Sequence, residues 1–118
     1  MSPVVSAPLI TEPQLLQLDK IMSLVGEAAE VARIEIGNPP PPIGPGQPGT
    51  WSRIPGVVSR TRAALVIYNK LGGPEFPTDI EGFLREANQL PIKPGVIVGK
   101  AETILSMLTN FTEGLERA

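Results

Sequence analysis

Residues 37–56 contain seven prolines and five glycines, and this tract constrains the fold more than any other feature of the sequence. Proline lacks a backbone N–H and fixes φ, so the run from Pro39 to Pro42 suits neither a helix interior nor a central strand. Consecutive prolines favour extended polyproline II, and the later Pro-Gly pairs favour turns. We therefore expect a single domain over residues 1–118, in which residues 37–56 form an extended connecting segment, here called the arm.

Outside the arm, apolar residues recur every three or four positions, which is the spacing of one face of a helix. Four such seams occur, and together they predict an all-α fold: a four-helix bundle-like domain with the arm after the first helix. The seams comprise Leu15, Leu18, Met22, Val25, Ala29, Ala32 and Ile36; Val57, Thr61, Ala64, Tyr68 and Leu71; Ile80, Phe83, Ala87 and Leu90; and Ile97, Ala101, Ile104, Leu108, Phe111 and Leu115.

Capping and breaking residues bound the first two seams. Thr11 and Gln14 form a capping-box pattern at the start of the first helix, and Gly37-Asn38-Pro39 is a suitable end. The second helix opens at Pro55-Gly56 and closes at Gly72-Gly73-Pro74.

The last two helices have their own boundary signals. Thr78 and Glu81 form a second capping-box pattern, and Pro91 ends the helix that follows it. The fourth helix is expected to begin near residue 96 or 100 and to end near residue 116.

An alternative interpretation makes three short apolar segments into strands. Residues 31–36 alternate like a half-buried strand, while residues 63–68 and 95–98 are short apolar runs. Their alternation with helices would then predict a small mixed α/β domain with a parallel sheet. The helical interpretation is preferred because one helical register explains each seam along its whole length.

The composition argues against an enzyme. The chain has no cysteine and no histidine, so it lacks a thiol nucleophile and the commonest general base and metal ligand. Its close acidic pairs show no spacing typical of a metal or catalytic site and are expected to lie on solvated helix faces. We predict no catalytic residue, no metal ligand, no cofactor-binding residue and no small-molecule substrate.

The segment MSPVVSAPLI has no basic stretch and no long apolar core, so no signal peptide is expected there. The longest apolar run, residues 63–68, is far shorter than the roughly 20 residues of a membrane helix. These features predict a soluble protein, cytoplasmic or associated with a virus particle.

The net charge of −2 is unevenly distributed along the chain. Residues 1–35 carry two basic and five acidic residues, and residues 75–118 carry four basic and seven acidic residues. Residues 36–74 carry four basic residues and no acid. Such segregation allows complementary packing within one chain or between copies.

These features favour a non-enzymatic structural or assembly protein, expected to form a homo-oligomer or a larger protein assembly. A minor component or packaging factor of a virus particle, or of another large complex, fits this description. The alternative is a small regulatory or nucleic-acid-binding module that uses the basic middle segment and binds weakly and in a salt-sensitive way. The candidate partner-binding residues are Pro41, Pro42, Trp51, Arg53, Arg60, Arg62 and Lys70.

Overall fold

The computed structural model describes residues 9–39 and 52–118. Over these residues the chain forms four α-helices and one pair of two-residue strands, which confirms the predicted all-α class. In chain order the elements are β1 (Leu9–Ile10), α1 (Glu12–Gly37), α2 (Ile54–Lys70), α3 (Ile80–Ala87), α4 (Pro94–Glu113) and β2 (Glu116–Arg117).

The alternative α/β interpretation is wrong, because its three strands all lie inside helices. Residues 31–36 belong to α1, residues 63–68 to α2 and residues 95–98 to α4. Within the first of these segments, Val31, Ala32 and Glu35 are buried, and that spacing belongs to a helix rather than a strand. Burial of one helix face along the whole seam thus determines the structure of this segment, although the segment alone alternates like a strand.

The predicted boundaries of α1 are confirmed. The Gln14 N–H donates to the Thr11 hydroxyl at 3.4 Å, and the Thr11 N–H donates to the Gln14 side-chain oxygen at 2.9 Å. At the other end, the Asn38 N–H donates to the Ile34 carbonyl at 2.8 Å. The capping box and the Asn38-Pro39 stop therefore define a single helix of 26 residues.

The start of α3 differs from the sequence prediction. Asp79, rather than Thr78, caps the helix, and its carboxylate accepts the Gly82 N–H at 2.9 Å. The helix begins one residue later than the Thr78–Glu81 box requires. Both a hydroxyl and a carboxylate occur at this boundary, and the carboxylate is the one that reaches the third helical N–H.

The last helix starts earlier and ends sooner than expected. Pro94 occupies its first turn, where a missing N–H does no harm, so the helix includes residues 94–96. It ends at Glu113 with Gly114 as its C-cap residue, and Glu116 and Arg117 then pair in parallel with Leu9 and Ile10. The Ala118 N–H extends this pairing by donating to the Ile10 carbonyl at 2.9 Å.

The helices pack as an antiparallel, up-down-up-down bundle. Helix α1 packs against α2 and α4, and α3 packs against both α2 and α4. The core is mainly aliphatic, and its largest fully buried side chains include Tyr68, Ile10, Leu18, Ile21, Ile54, Leu84 and Leu108. As a result, α1 and α3 end, and α2 and α4 begin, at the same end of the bundle, here called the arm end.

An aromatic cluster fills the opposite part of the bundle. The ring of Tyr68 stacks on Phe76 with centroids 4.4 Å apart, and Phe111 meets Phe76 edge-on at 5.9 Å. The Tyr68 hydroxyl donates to the Pro74 carbonyl. The segment between α2 and α3 is thereby held against α2 and α4.

Candidate interaction surface

The candidate partner-binding residues separate into two groups. Pro41, Pro42 and Trp51 lie outside the described residues. The four basic residues, in contrast, lie on α2 or at its N-cap. At the edges of the arm, Gly37 closes α1, and residues 54–56 form the first turn of α2.

The two ends of the arm meet at the arm end of the bundle. The Ser52 hydroxyl donates to the Glu35 carboxylate at 3.1 Å, and the same oxygen accepts the Ile54 N–H at 3.1 Å. These three residues, here called the arm base, connect the last turn of α1 to the first turn of α2. Antiparallel helices of a bundle need a connection of only about 2 to 8 residues. The arm is therefore longer than the fold requires.

Glu35 has an unusual position for a carboxylate. Its residue surface is only 7% exposed, and it lies near the end of α1, where no basic residue occurs in the last turn. A negative charge is unfavourable there because the helix dipole places partial negative charge at the same end. The Ser52 hydrogen bond offsets part of this penalty, so the carboxylate and the hydroxyl form one structural unit.

Four exposed apolar side chains belong to the helix ends at the arm end of the bundle. Ile34 and Ile36 are about half exposed on the last turns of α1. Leu90 follows α3 and is 64% exposed, and Val96 is exposed in the first turn of α4. All four lie at the arm end. Ile34 and Ile36 lie about 200° apart around α1, so the four side chains do not form one patch, and single exposed apolar residues are normal in proteins.

The structure does not bring the four basic residues together. The Arg60 guanidinium binds both carboxylate oxygens of Glu27 on α1, at 2.8 and 3.2 Å. Arg53 lies seven positions before Arg60 and therefore on the same side of α2. Arg62 lies roughly 200° around the helix from Arg60, at 100° per residue. Lys70 lies between these two directions, about 80° from each, so the four bases are spread around α2 instead of forming one patch.

Two grooves lie on the surface of the described residues. A groove of about 570 Å³ lies between α3 and α4, with Phe83 and Ile104 among its lining residues. Lys100 and Glu86 form an ion pair beside it. A second groove of about 470 Å³ lies between α2 and the segment before α3. Within residues 9–39 and 52–118, no group of three acidic side chains could hold a metal ion.

Comparison with known proteins finds no matching family model, no matching curated protein and no matching solved structure. In the described part of the chain, no helix has the length and apolar character needed to span a bilayer. The functional interpretation therefore depends on the geometry of the arm base and of the helix surfaces around it.

The sequence does not identify Glu35, Ser52 or Glu27 as residues of the candidate surface. Glu35 and Ser52 are separated by 17 positions, and Glu27 and Arg60 by 33. No local pattern links residues so far apart in the chain. The sequence contains only an indirect signal for the Glu27–Arg60 pair. Arg60 belongs to a segment without acids, so an acidic partner for it has to come from another part of the chain.

Proposed function

We propose that this protein is a non-enzymatic structural or assembly protein that acts through protein–protein contacts, with the arm as a contact segment. The observation that carries the proposal is the arm base. The hydrogen bond from Ser52 to Glu35 brings the two ends of the arm together, so residues 40–51 are not needed to span a distance. A segment that is dispensable for connecting α1 to α2 is available for contacts with another molecule.

The composition of the arm supports this role. Residues 37–52 carry no charge and include six prolines. Proline restricts the backbone of a segment before it binds, so less conformational entropy is lost when the segment becomes ordered on a partner. An uncharged, proline-rich segment also avoids the cost of removing charges from water at an interface.

The distribution of charge supports assembly from several copies or subunits. Helix α1 contains five acids and two bases, and α2 contains three bases and no acid. Surfaces of opposite charge favour a defined orientation between partners more than they raise affinity. A particle built from many copies, a virus particle included, is the kind of complex that this proposal covers.

Nucleic-acid binding by the basic segment is the alternative function. The geometry favours it less, because Arg60 is occupied by Glu27 and Arg62 lies on the other side of α2. A single-stranded nucleic acid needs a continuous basic groove with aromatic side chains along it. The basic residues on the described part of α2 do not line one groove.

Removal of residues 41–48 tests the proposal. Helix content, measured by circular dichroism, should stay unchanged because the arm base and all four helices are retained. Mass in solution, measured by light scattering behind a sizing column, should be lower than that of the wild type at the same concentration, because the contacts made through the arm are lost. Wild-type protein should show larger, salt-sensitive species at the same concentrations.

Two results would contradict the proposal. If the shortened chain associates as strongly as the wild type, the arm is not a contact segment. If the shortened chain loses its helix content, the arm is needed for folding instead.

A further inference from the structure

The outer side of the α1–α2 pair carries two rows of residues that share one surface. Glu27 and Arg60 contact each other across the groove between the two helices. Residues seven positions from each lie on the same side of their helix and therefore border the same groove. On α1 these are Lys20 and Ile34, and on α2 they are Arg53 and Ile67. We call this surface the α1–α2 face.

The α1–α2 face is more apolar than a solvated surface needs to be. Ile34 and Ile67 are 50% and 43% exposed. Leu16 and Leu71 lie eleven positions beyond the ion-paired residues, again on the same side, and are 61% and 41% exposed. The Gln14 side chain donates to the Leu71 carbonyl at 2.7 Å, which places the Leu16 end of α1 beside the Leu71 end of α2. One half of the face thus combines three apolar side chains, Leu16, Ile67 and Leu71, with one base, Lys20.

The charges of this face are arranged so that it complements itself. Glu27 on the acidic helix and Arg60 on the basic helix form an exposed pair at its centre. If two copies meet with a twofold axis parallel to the helices, α1 of each copy faces α2 of the other at the same height. Glu27 then meets the second Arg60, and the two apolar halves meet each other. A twofold contact of this type uses the same surface on both subunits.

From this geometry we infer that the α1–α2 face is the site at which a second copy of this chain binds to form a twofold dimer. The inference rests on the proposed assembly function and names its first partner. In this dimer four alternating charges lie at the centre, and two clusters of Leu16, Ile67 and Leu71 form one apolar patch. Removing water from the centre strengthens the attraction between the opposite charges.

The size of the face suits a weak dimer. Helix α2 has 17 residues and a length of about 26 Å at 1.5 Å per residue. Two adjacent helices are together about 20 Å wide, so the flat footprint is about 500 Å². A standard interface buries about 800 Å² on each partner. The dimer is therefore expected to dissociate on dilution and at high salt.

The arm base lies at one end of the same face. Ile34 and Arg53, which border the face, are the immediate neighbours of Glu35 and Ser52. In the dimer, each arm therefore begins and ends beside the second copy. This position links the dimer to the proposed contact role of the arm.

Charge reversal with mixing tests the dimer. Glu27→Arg leaves two bases at the centre of the face, and Arg60→Glu leaves two acids. Each variant alone should remain monomeric, because like charges then meet across the twofold axis. An equal mixture of the two variants should form a heterodimer of about 25 kDa, twice the 12.6 kDa of one chain. The double variant Glu27→Arg/Arg60→Glu should form a homodimer again.

A matched pair of apolar substitutions tests the patch. Ile67→Glu places a charge in the apolar half of the α1–α2 face and should weaken dimerisation about tenfold or more, as expected for a position that the dimer buries. Val66→Glu changes the neighbouring residue, which is equally exposed at 45% but is turned by about 100° around α2. This control should leave the dissociation constant within about twofold of wild type. Circular dichroism confirms that both variants are folded.

The outcomes separate this inference from the proposed function. A mixture of the charge variants that remains monomeric, or an equal loss with Val66→Glu and Ile67→Glu, would overturn the α1–α2 dimer. If the wild type nevertheless associates and loses that association when residues 41–48 are removed, the arm proposal stands alone. If the charge variants do form a heterodimer but removal of residues 41–48 changes nothing, the dimer stands and the arm proposal fails.

Discussion

The hydroxyl of Ser52 donates a hydrogen bond to the buried carboxylate of Glu35 across 3.1 Å, and this contact joins the beginning of α2 to the end of α1. Because of this contact, the arm begins and ends at the same place on the bundle, outside the packed parts of the two helices that it connects. The proposal that the arm is a contact segment rests on this hydrogen bond, because it brings the two ends of the arm together.

Substitution Ser52→Ala should therefore lower the free energy of unfolding by about 1 to 3 kcal/mol, because it removes a hydrogen bond to a charged group and leaves the carboxylate buried. Urea unfolding followed by circular dichroism measures this change. Ser59→Ala is the matched control, since Ser59 is exposed and its side chain forms no hydrogen bond within residues 9–39 and 52–118. Equal midpoints for the two variants would show that the arm base contributes nothing to stability.

The second prediction concerns pH. Burial raises the pKa of Tyr68 to about 12, whereas an unfolded chain has a tyrosine pKa of about 10. The unfolded chain thus loses this proton first as pH rises. Stability from Tyr68 is complete below pH 10 and falls as pH approaches 12, by about 2 to 3 kcal/mol in total.

Tyr68 is the single tyrosine of the chain, so ultraviolet absorbance of tyrosinate reports on this residue alone. The folded protein should titrate near pH 12 and the unfolded protein near pH 10. In Tyr68→Phe, the additional loss of stability between these two pH values should disappear. A folded-state titration near pH 10 would contradict burial of the phenol.

The third prediction concerns the turn after α2. A Cβ atom on Gly73 would lie 2.3 Å from the Cζ atom of Tyr68, so Gly73→Ala cannot be accommodated without moving the ring. We expect it to lower the free energy of unfolding by about 1 to 3 kcal/mol. Gly99→Ala should instead raise the free energy of unfolding by about 0.5 to 1 kcal/mol, because Gly99 is helical and a Cβ atom there would meet no other atom. Similar thermal midpoints for the two variants would argue against this packing.

The fourth prediction concerns the cap of α3. Asp79→Ala should cost about 1 kcal/mol, the usual value for loss of an N-cap, whereas Thr78→Ala should change stability little. Thermal unfolding of the two variants measures the difference. A larger loss of stability in Thr78→Ala than in Asp79→Ala would show that Thr78 is the capping residue.

The fifth prediction separates the two proposed functions. Arg62→Glu with Lys70→Glu changes two exposed bases while leaving the Glu27–Arg60 pair intact. If the protein acts through protein contacts, this variant and the wild type should pass through a single-stranded DNA column alike at physiological salt. Strong retention of the wild type, lost in the folded variant, would favour nucleic-acid binding.

The bundle follows from local signals in the sequence. Long apolar seams predict helices well because burial of one face supplies most of the stability of a helix in a protein. Short segments such as residues 31–36 fit two periodicities, and only the longer seam resolves the ambiguity. Helix ends were less predictable where two polar residues compete for one cap, as Thr78 and Asp79 do.

The candidate surface was harder to predict because its contacts connect distant parts of the chain. Arg60 was a reasonable choice for a binding residue from charge alone, but its partner Glu27 is 33 positions away. Tyr68 was correctly expected in the core seam, yet its contacts with Phe76 and Pro74 depend on a turn that carries no periodic pattern. Such pairings are determined by how the helices pack, which the sequence alone does not show.

The pairing of β1 with β2 has a topological consequence. Ile10 and Ala118 are hydrogen-bonded, so replacing residues 1–8 with a short peptide that joins residue 118 to residue 9 would close the described helices into a ring. Such a ring could be opened between residues 40 and 51 to give a circular permutant in which α2 comes first and α1 last. Every helix contact would be retained, while the arm would become two free tails. The packing of the four helices thus does not depend on the order in which the chain connects them.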